Sequence, residues 1–347
     1  MVQGAIRKED LKKLIVAVGK DGSFYGPVRG GDGVVLSELG PDDEMALTYS
    51  NFKLPPKRQF FPQSEVIYTY EGGGRTEVPL PEETSDRVRV IFGVRPCDTR
   101  SLLYLDKVFL DGTFSDPYYR RRRDLSIIIS LACSDPLETC FCTSVGGNPT
   151  GKEGADILAS DVGDALLFEA VTPKGKAFMK AHSDLFEQPK AKEMMVRDEQ
   201  VSSAEKKIPA LDISDITERL RENFDAPIWD EIAQRCLGCG VCTFLCPTCH
   251  CFGLYDEAHS GWGELRGRRV RVQDACMFPS FTLEASGHNP RPSNGERMRQ
   301  RIMHKFRYTV ENFRDIFCVG CGRCITHCPV NIDIRETIAE IFIQDKR

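Results

Sequence analysis

Two stretches of this chain carry the same cysteine spacing. "CLGCGVCTFLCP" contains Cys236, Cys239, Cys242 and Cys246, and "CVGCGRCITHCP" contains Cys318, Cys321, Cys324 and Cys328. Each is a C-x2-C-x2-C-x3-C-P run. Three thiolates at that interval can wrap three corners of a cubane cluster, while the fourth, followed by proline, swings away from the loop. In two-cluster ferredoxins the fourth cysteine ligates the other cluster. The spacing therefore predicts two [4Fe-4S] sets: Cys236, Cys239, Cys242 with Cys328 (cluster 1), and Cys318, Cys321, Cys324 with Cys246 (cluster 2).

Zinc and disulfides are the competing uses of paired cysteines. Zinc sites pair two C-x-x-C knuckles or recruit histidine, and have no use for a third cysteine at the same interval and a fourth before proline. Disulfides need an oxidising compartment, yet the chain starts "MVQGAIRKEDLKKLIVAVGKDG", charged throughout and without a cleavable apolar leader. Fifteen cysteines in such a chain imply a reducing cytoplasm, and so many oxygen-sensitive ligands suit an anaerobe.

At 347 residues there is material for about two domains. No segment approaches the length of a membrane span. A net charge of −5 argues against nucleic acid as the main partner.

The expected architecture is an α+β multidomain chain. Residues 1–200 read as an α/β domain with a partly parallel sheet, and residues 201–347 as an all-helical, ferredoxin-like domain with two cubane clusters. In the first part "DLKKLIVAVGK" places Leu11, Leu14, Ile15 and Val18 on one helical face, and "GPVRGGDGVV" reads as a glycine-rich turn before a strand. The segments at 87–95 and 125–133 are β-branched and almost continuously apolar, the mark of strands covered on both faces. Between them "DTRSLLYLDKVFL" reads as a helix capped by Asp98 or Thr99, so the two strands should be parallel neighbours or near-neighbours. Residues 187–210 are charged and poor in aromatics, a surface helix or linker. Helices are expected before the first run, in "SNGERMRQRIMHKFRYTVENF" between the runs, and after the second. About 70 residues part the runs, which favours a helical ferredoxin domain like that of succinate dehydrogenase iron-sulfur subunits over the small β-hairpin type.

A third cysteine group lies in the first region. Cys97 follows the first apolar strand and Cys133 the second, with Cys140 and Cys142 close behind. Parallel strands deliver both ends to the carboxyl edge of the sheet, where ligands of open α/β sheets bind. The four thiols suit a third [4Fe-4S] cluster, with zinc or inert structural thiols as the alternatives. Cys249, Cys251 and Cys276 remain; they read as packing around the first cluster, as a source of a replacement ligand, or as lining a partner site or a substrate-reducing site beside it. His250 reads as a surface residue or a hydrogen-bond donor to cluster sulfur. The arginines of "RGRRVRV" and "RMRQRIMHKFR" are either a solvated face or cations that tune clusters and steer an acidic partner, and "YRRRRD" at 119–124 reads as surface. No dinucleotide fingerprint, Walker run or acid-base constellation is present, so no flavin, nicotinamide or catalytic residue is expected.

Taken together, "FFPQSE" at 60–65, "GVRPCD" at 93–98, "LETCFCTS" at 137–144, "CLGCGVCTFLCPTCHCF" at 236–252, "HKFRY" at 304–308 and "CVGCGRCITHCPV" at 318–330 resemble one family over most of the chain. It is the family of iron-sulfur electron-transfer proteins found in anaerobic sulfite reductase and as the β chain of cytoplasmic sulfhydrogenases, with similar members in flavin-containing complexes coupled to heterodisulfide reductase. The resemblance implies an electron-transfer subunit between a flavoprotein that handles NAD(P)H and a catalytic or acceptor subunit. It also implies Cys97, Cys133, Cys140 and Cys142 as ligands. The chain departs from the pattern at "QDACMFPSF", where a tryptophan is expected before Cys276. The alternatives are a substrate-reducing iron-sulfur enzyme that uses Cys249, Cys251 and Cys276, and a zinc-stabilised scaffold.

Overall fold

A computed structural model describes residues 3–31, 33–71, 75–77, 87–261 and 264–344. Among those residues the strands are β1 (Gln3–Arg7), β2 (Gly22–Gly30), β3 (Gly33–Glu38), β4 (Ser64–Glu71), β5 (Arg75–Glu77), β6 (Val88–Val94), β7 (Ser126–Leu131), β8 (Ile157–Asp161), β9 (Ala165–Ala170), β10 (Phe252–Gly261) and β11 (Glu264–Gln273). Seven of them form one sheet in the order β1-β9-β8-β7-β6-β2-β3. The central pairs β2/β6, β6/β7 and β7/β8 are parallel, and the outer pairs are antiparallel.

Continuous apolar runs become the central strands because both sheet faces are covered: every residue of β7 is buried, as is every residue of β9. One face is covered by α1 (Leu11–Gly19) through Leu11, Leu14, Ile15 and Val18, the expected stripe. The other is covered by α2 (Pro96–Phe109), whose Leu102, Leu105 and Phe109 meet Ile91 and Ile128. The N-cap of α2 is Arg95, with Pro96 in the first turn, rather than Asp98 or Thr99. The reason is visible: the Asp98 carboxylate is buried and used elsewhere. The glycine-rich turn joins β2 to β3 as an antiparallel hairpin.

The "YRRRRD" segment lies in α3 (Pro117–Asp124), and it is only partly surface. Arg122 is buried against Glu65, and Arg123 forms a two-pronged pair with Asp106 at 2.7 and 2.8 Å. Helices α4 (Pro173–Ala181) and α5 (Ala191–Ala204) follow β9. The latter is the charged, mostly exposed helix expected near 187–210, anchored by Glu193 to Arg7 at 2.9 Å.

The expectation of an all-helical C-terminal region is wrong. Helices α6 (Ile216–Glu222), α7 (Ile228–Ala233), α8 (Val241–Phe244), α9 (Asn294–Met303), α10 (Thr309–Phe313), α11 (Arg323–Thr326) and α12 (Ile334–Gln344) are present. The chain between the cysteine runs, however, also makes the hairpin β10–β11, which pairs with β4 in a second sheet ordered β10-β11-β4-β5. The hairpin is charged on both faces, which hid its period-two pattern. Its arginines meet partners across the strands: Arg269 faces Asp256 and Arg268 faces Glu257. Arg271 is buried against Glu65 at 2.7 Å and also pairs with Asp116, so one carboxylate of "FFPQSE" joins α3 to β11. Helix α9, capped by the reciprocal Ser293–Glu296 box, runs through a π-helical turn at His304–Tyr308 into α10.

Candidate functional site

The first run begins directly after α7 and carries Cys242 on α8. Gly238 and Gly240 take left-handed conformations, φ +66° and +74°, which turn the loop around a cavity. That cavity is lined by Cys236, Cys239, Cys242 and, from the other run, Cys324 and Cys328, with Arg301 also on its wall. Backbone N–H groups already point at sulfur: Gly238 donates to Cys236 Sγ at 3.4 Å and Ile332 to Cys328 Sγ at 3.2 Å. The face is open, with Cys239 exposed and Leu237 68% exposed.

The second run repeats the geometry in the interior. Gly320 and Gly322 have φ +62° and +74°, and Cys324 lies on α11. Burial pushes the Cys318 thiol up to about 11 and Cys324 up to about 12, and raises Cys321 as well. Cys246 comes from the first run and lies within electrostatic reach of all three. Its acidity moves the other way. A hydrogen bond from the Cys249 thiol stabilises its thiolate against burial, assisted by Lys305 Nζ at 3.0 Å, the nearby Lys57 and the Thr248 hydroxyl at 3.2 Å.

Cys142 lies within electrostatic reach of Cys97, Cys133 and Cys140. Cys97 lies in the first turn of α2 just beyond β6, and Cys133 just beyond β7. Cys140 and Cys142 lie on the following loop, where burial raises both thiols to about 12. The group faces the second run. Cys140 Sγ reaches the Cys321 carbonyl at 3.8 Å, and the Phe141 N–H donates to the Gly320 carbonyl at 2.9 Å.

Next to Cys97 and Cys324, Asp98 and Arg323 close a fully buried two-pronged ion pair, both contacts at 2.7 Å. Arg323 also donates to Phe52 O at 2.8 Å and Asn51 Oδ1 at 2.6 Å, and Asn51 donates to Cys321 O. Sequence reasoning missed this staple because its partners lie about 225 positions apart.

Do these residues fit iron-sulfur clusters? Three buried cations answer. Lys57, Lys305 and Arg301 are at most 5% exposed and sit among the cysteines. Lys57 donates to Cys249 O at 2.7 Å; Lys305 donates to Cys246 Sγ, Thr248 Oγ1 and Phe317 O. Arg301 has a buried Nε without a partner, and although burial opposes its charge, Cys242, Cys324, Cys249 and Cys246 hold it protonated. Among the described residues no carboxylate pairs with any of the three. Uncompensated buried cations are costly, and thiols raised by burial ionise only when metal replaces the proton. A thiolate-ligated cluster, with its net negative charge, meets both needs. Lys57 carried no sequence signal; Lys305 and its turn stood in "HKFRY" without an assigned role.

Cys249, Cys251 and Cys276 line a second cavity with His250, His304, Lys305 and Arg301. His250 is partly buried, its Nδ1 bonded to Thr248 O at 3.1 Å, and is not a surface residue. The "RMRQRIMHKFR" cations divide: Arg299 and Arg307 pair with acids, whereas Arg301 and Lys305 face sulfur.

Among the described residues no helix is long and apolar enough to cross a membrane. A family model for a 4Fe-4S dicluster domain matches residues 235–332. The chain is 33% identical over 328 residues, 92% of each chain, to sulfhydrogenase 2 subunit beta of Pyrococcus furiosus. No solved structure matches it. Likeness of that extent, across both sheets and the cysteine runs, means that the chain belongs to the sulfhydrogenase β-subunit family and carries a 4Fe-4S dicluster domain.

Proposed function

We propose that this chain is an electron-transfer subunit that holds three [4Fe-4S] clusters in a row. Cys236, Cys239, Cys242 and Cys328 ligate the first, Cys318, Cys321, Cys324 and Cys246 the second, and Cys97, Cys133, Cys140 and Cys142 the third. Such clusters supply one-electron redox chemistry. The observation that supports the reading is the meeting of the two runs: Cys324 and Cys328 line the first run's cavity, and Cys246 lies within electrostatic reach of Cys318, Cys321 and Cys324. The packing of the Cys140–Cys142 loop against Gly320 supports the third position at the end of the row.

The chain's own residues hold, tune and shield. N–H groups donate to ligand sulfur, Lys57, Lys305 and Arg301 offset negative charge in a buried setting, and the Asp98–Arg323 pair fixes the second and third sets together. The open first run offers a contact face at Leu237 and Cys239. The partners that fit are a flavoprotein subunit handling NAD(P)H and a catalytic or acceptor subunit, of hydrogenase, sulfite reductase or heterodisulfide reductase type. In a cytoplasmic complex this chain needs no bond-making site.

Iron analysis of anaerobically purified protein tests the count: about twelve irons per chain for three clusters, about eight for two. Cys133→Ala should remove about four irons and leave the dicluster spectrum; no loss of iron would remove the third cluster from the reading. Copurification of a flavoprotein would support the relay, and catalytic turnover by this chain as the sole iron-sulfur component would sink it.

A further inference from the structure

The π-helical turn His304–Tyr308 is built around one buried lysine. The Thr309 N–H reaches back five positions to the His304 carbonyl, the wide π spacing, while the Lys305 carbonyl accepts from the Phe317 N–H and from the Thr309 hydroxyl, both at 3.0 Å. Single π turns inside helices recur at functional sites. Phe317 directly precedes Cys318, so the turn grips the second run by its backbone.

The Lys305 side chain grips the other run as well. An ammonium has three protons to give, and all three find acceptors: Cys246 Sγ at 3.0 Å, Thr248 Oγ1 at 3.1 Å and the Phe317 carbonyl at 3.3 Å. The Thr248 hydroxyl in turn donates to that same carbonyl at 2.7 Å. The ammonium is thereby fixed between Cys246 and the backbone beside Cys318, the two parts of the second set that come from different runs. The other sets are served differently. Sulfurs of the first receive neutral N–H groups, from Gly238 and Ile332. Beside the third, Arg323 is paired with Asp98, and Arg95 spends its N–H groups on the Tyr49, Ser50, Leu131 and Ala132 carbonyls. Hydrogen bonds from charged donors are about twice as strong as neutral ones, and bonds to sulfur together with net charge set the potential of an iron-sulfur centre.

We propose that Lys305 is the positioning residue of the second centre: it holds Cys246 in place across the two runs and makes that centre the most readily reduced of the row, the point where electrons collect. One electron arrives from a neighbouring carrier of the iron-sulfur class, which is oxidised by one; no bond is made or broken. This inference rests on the cluster assignment proposed above.

The test is a redox titration of the intact, anaerobically purified protein followed by EPR, with iron analysis alongside. Cys239→Ser perturbs the first centre and Cys133→Ala the third, so the signal that neither variant touches belongs to the second. In the wild type that signal should appear at the highest potential. Lys305→Met should move it, and not the other two, downward by about 60 mV or more, a tenfold loss of preference for the reduced form, with iron retained. Lys305→Arg, which keeps the charge, should restore most of the shift. An unmoved second signal in Lys305→Met with full iron, or a wild-type second signal below that of either other centre, would overturn this inference alone. A wild-type protein without iron-sulfur centres would overturn the function reading as well. The wild-type order of potentials decides the matter even where Lys305→Met loses iron or does not fold.

Discussion

The two cysteine runs share spacing, left-handed glycines and a short helix, yet their surroundings are opposite. Around the first run, Leu237 and Cys239 face solvent, and a Cβ at Gly238 would meet nothing nearer than 3.7 Å. Around the second, Cys318 and Cys321 are buried, and a Cβ at Gly320 would lie 2.5 Å from the Cys142 backbone nitrogen. A repeated motif thus sits in two settings: one copy faces the outside, and the other packs against the N-terminal cysteine loop.

The largest expected difference is in ligand removal. Cys318→Ser takes a ligand from the interior and leaves Lys305 short of negative charge, so it should lower stability by several kcal/mol, about 3–5, along with iron content. Cys239→Ser should cost iron with a much smaller fall in the unfolding transition. Anaerobic thermal melts and iron analysis of both variants check this, and equal losses would break the comparison.

Asp98→Asn comes next. It strands the Arg323 guanidinium in the interior beside the second run, at an expected cost of about 3–5 kcal/mol, and no residue around the first run should show its equal. Denaturant titration measures it.

Glycine substitution discriminates on backbone alone. Gly238→Ala should cost about 1–2 kcal/mol, the left-handed penalty for a residue with a Cβ. Gly320→Ala adds a clash with backbone and should cost about 1–3 kcal/mol more.

Arg301 belongs to both surroundings, since its thiol neighbours include Cys242 and Cys324. Arg301→Gln should lower the reduction potentials of the centres, by about 60 mV for each tenfold loss of preference for the reduced form. Redox titration followed by EPR reads the shift, and unchanged potentials would remove Arg301 from the tuning role. The smallest effect is expected from Leu237→Glu, which should leave iron and stability unchanged while slowing electron exchange with a redox partner.

Much of the fold was legible where a single physical rule governs a local stretch. The central strands showed as continuous apolar runs because both faces are covered, and α1 showed as a stripe because one face is. The hairpin β10–β11 was hidden because its alternation is of charge with charge, stabilised by cross-strand pairs and by Glu65 at a distance of about 200 positions. Arg122 looked like surface charge for the same reason, its Glu65 partner lying 57 positions away, whereas Arg123 pairs with Asp106 of the preceding helix, 17 positions back, once the two helices pack.

The spacing of the cysteine runs determined by itself that this is an iron-sulfur protein, because ligand interval is a local property of the chain. Only the tertiary structure decided which run is buried, that Cys140 and Cys142 pack on Gly320, and that Lys57, Arg301 and Lys305 gather around sulfur with no carboxylate partner among the described residues. Those are properties of desolvation and long-range charge pairing, set by distance in space rather than along the chain.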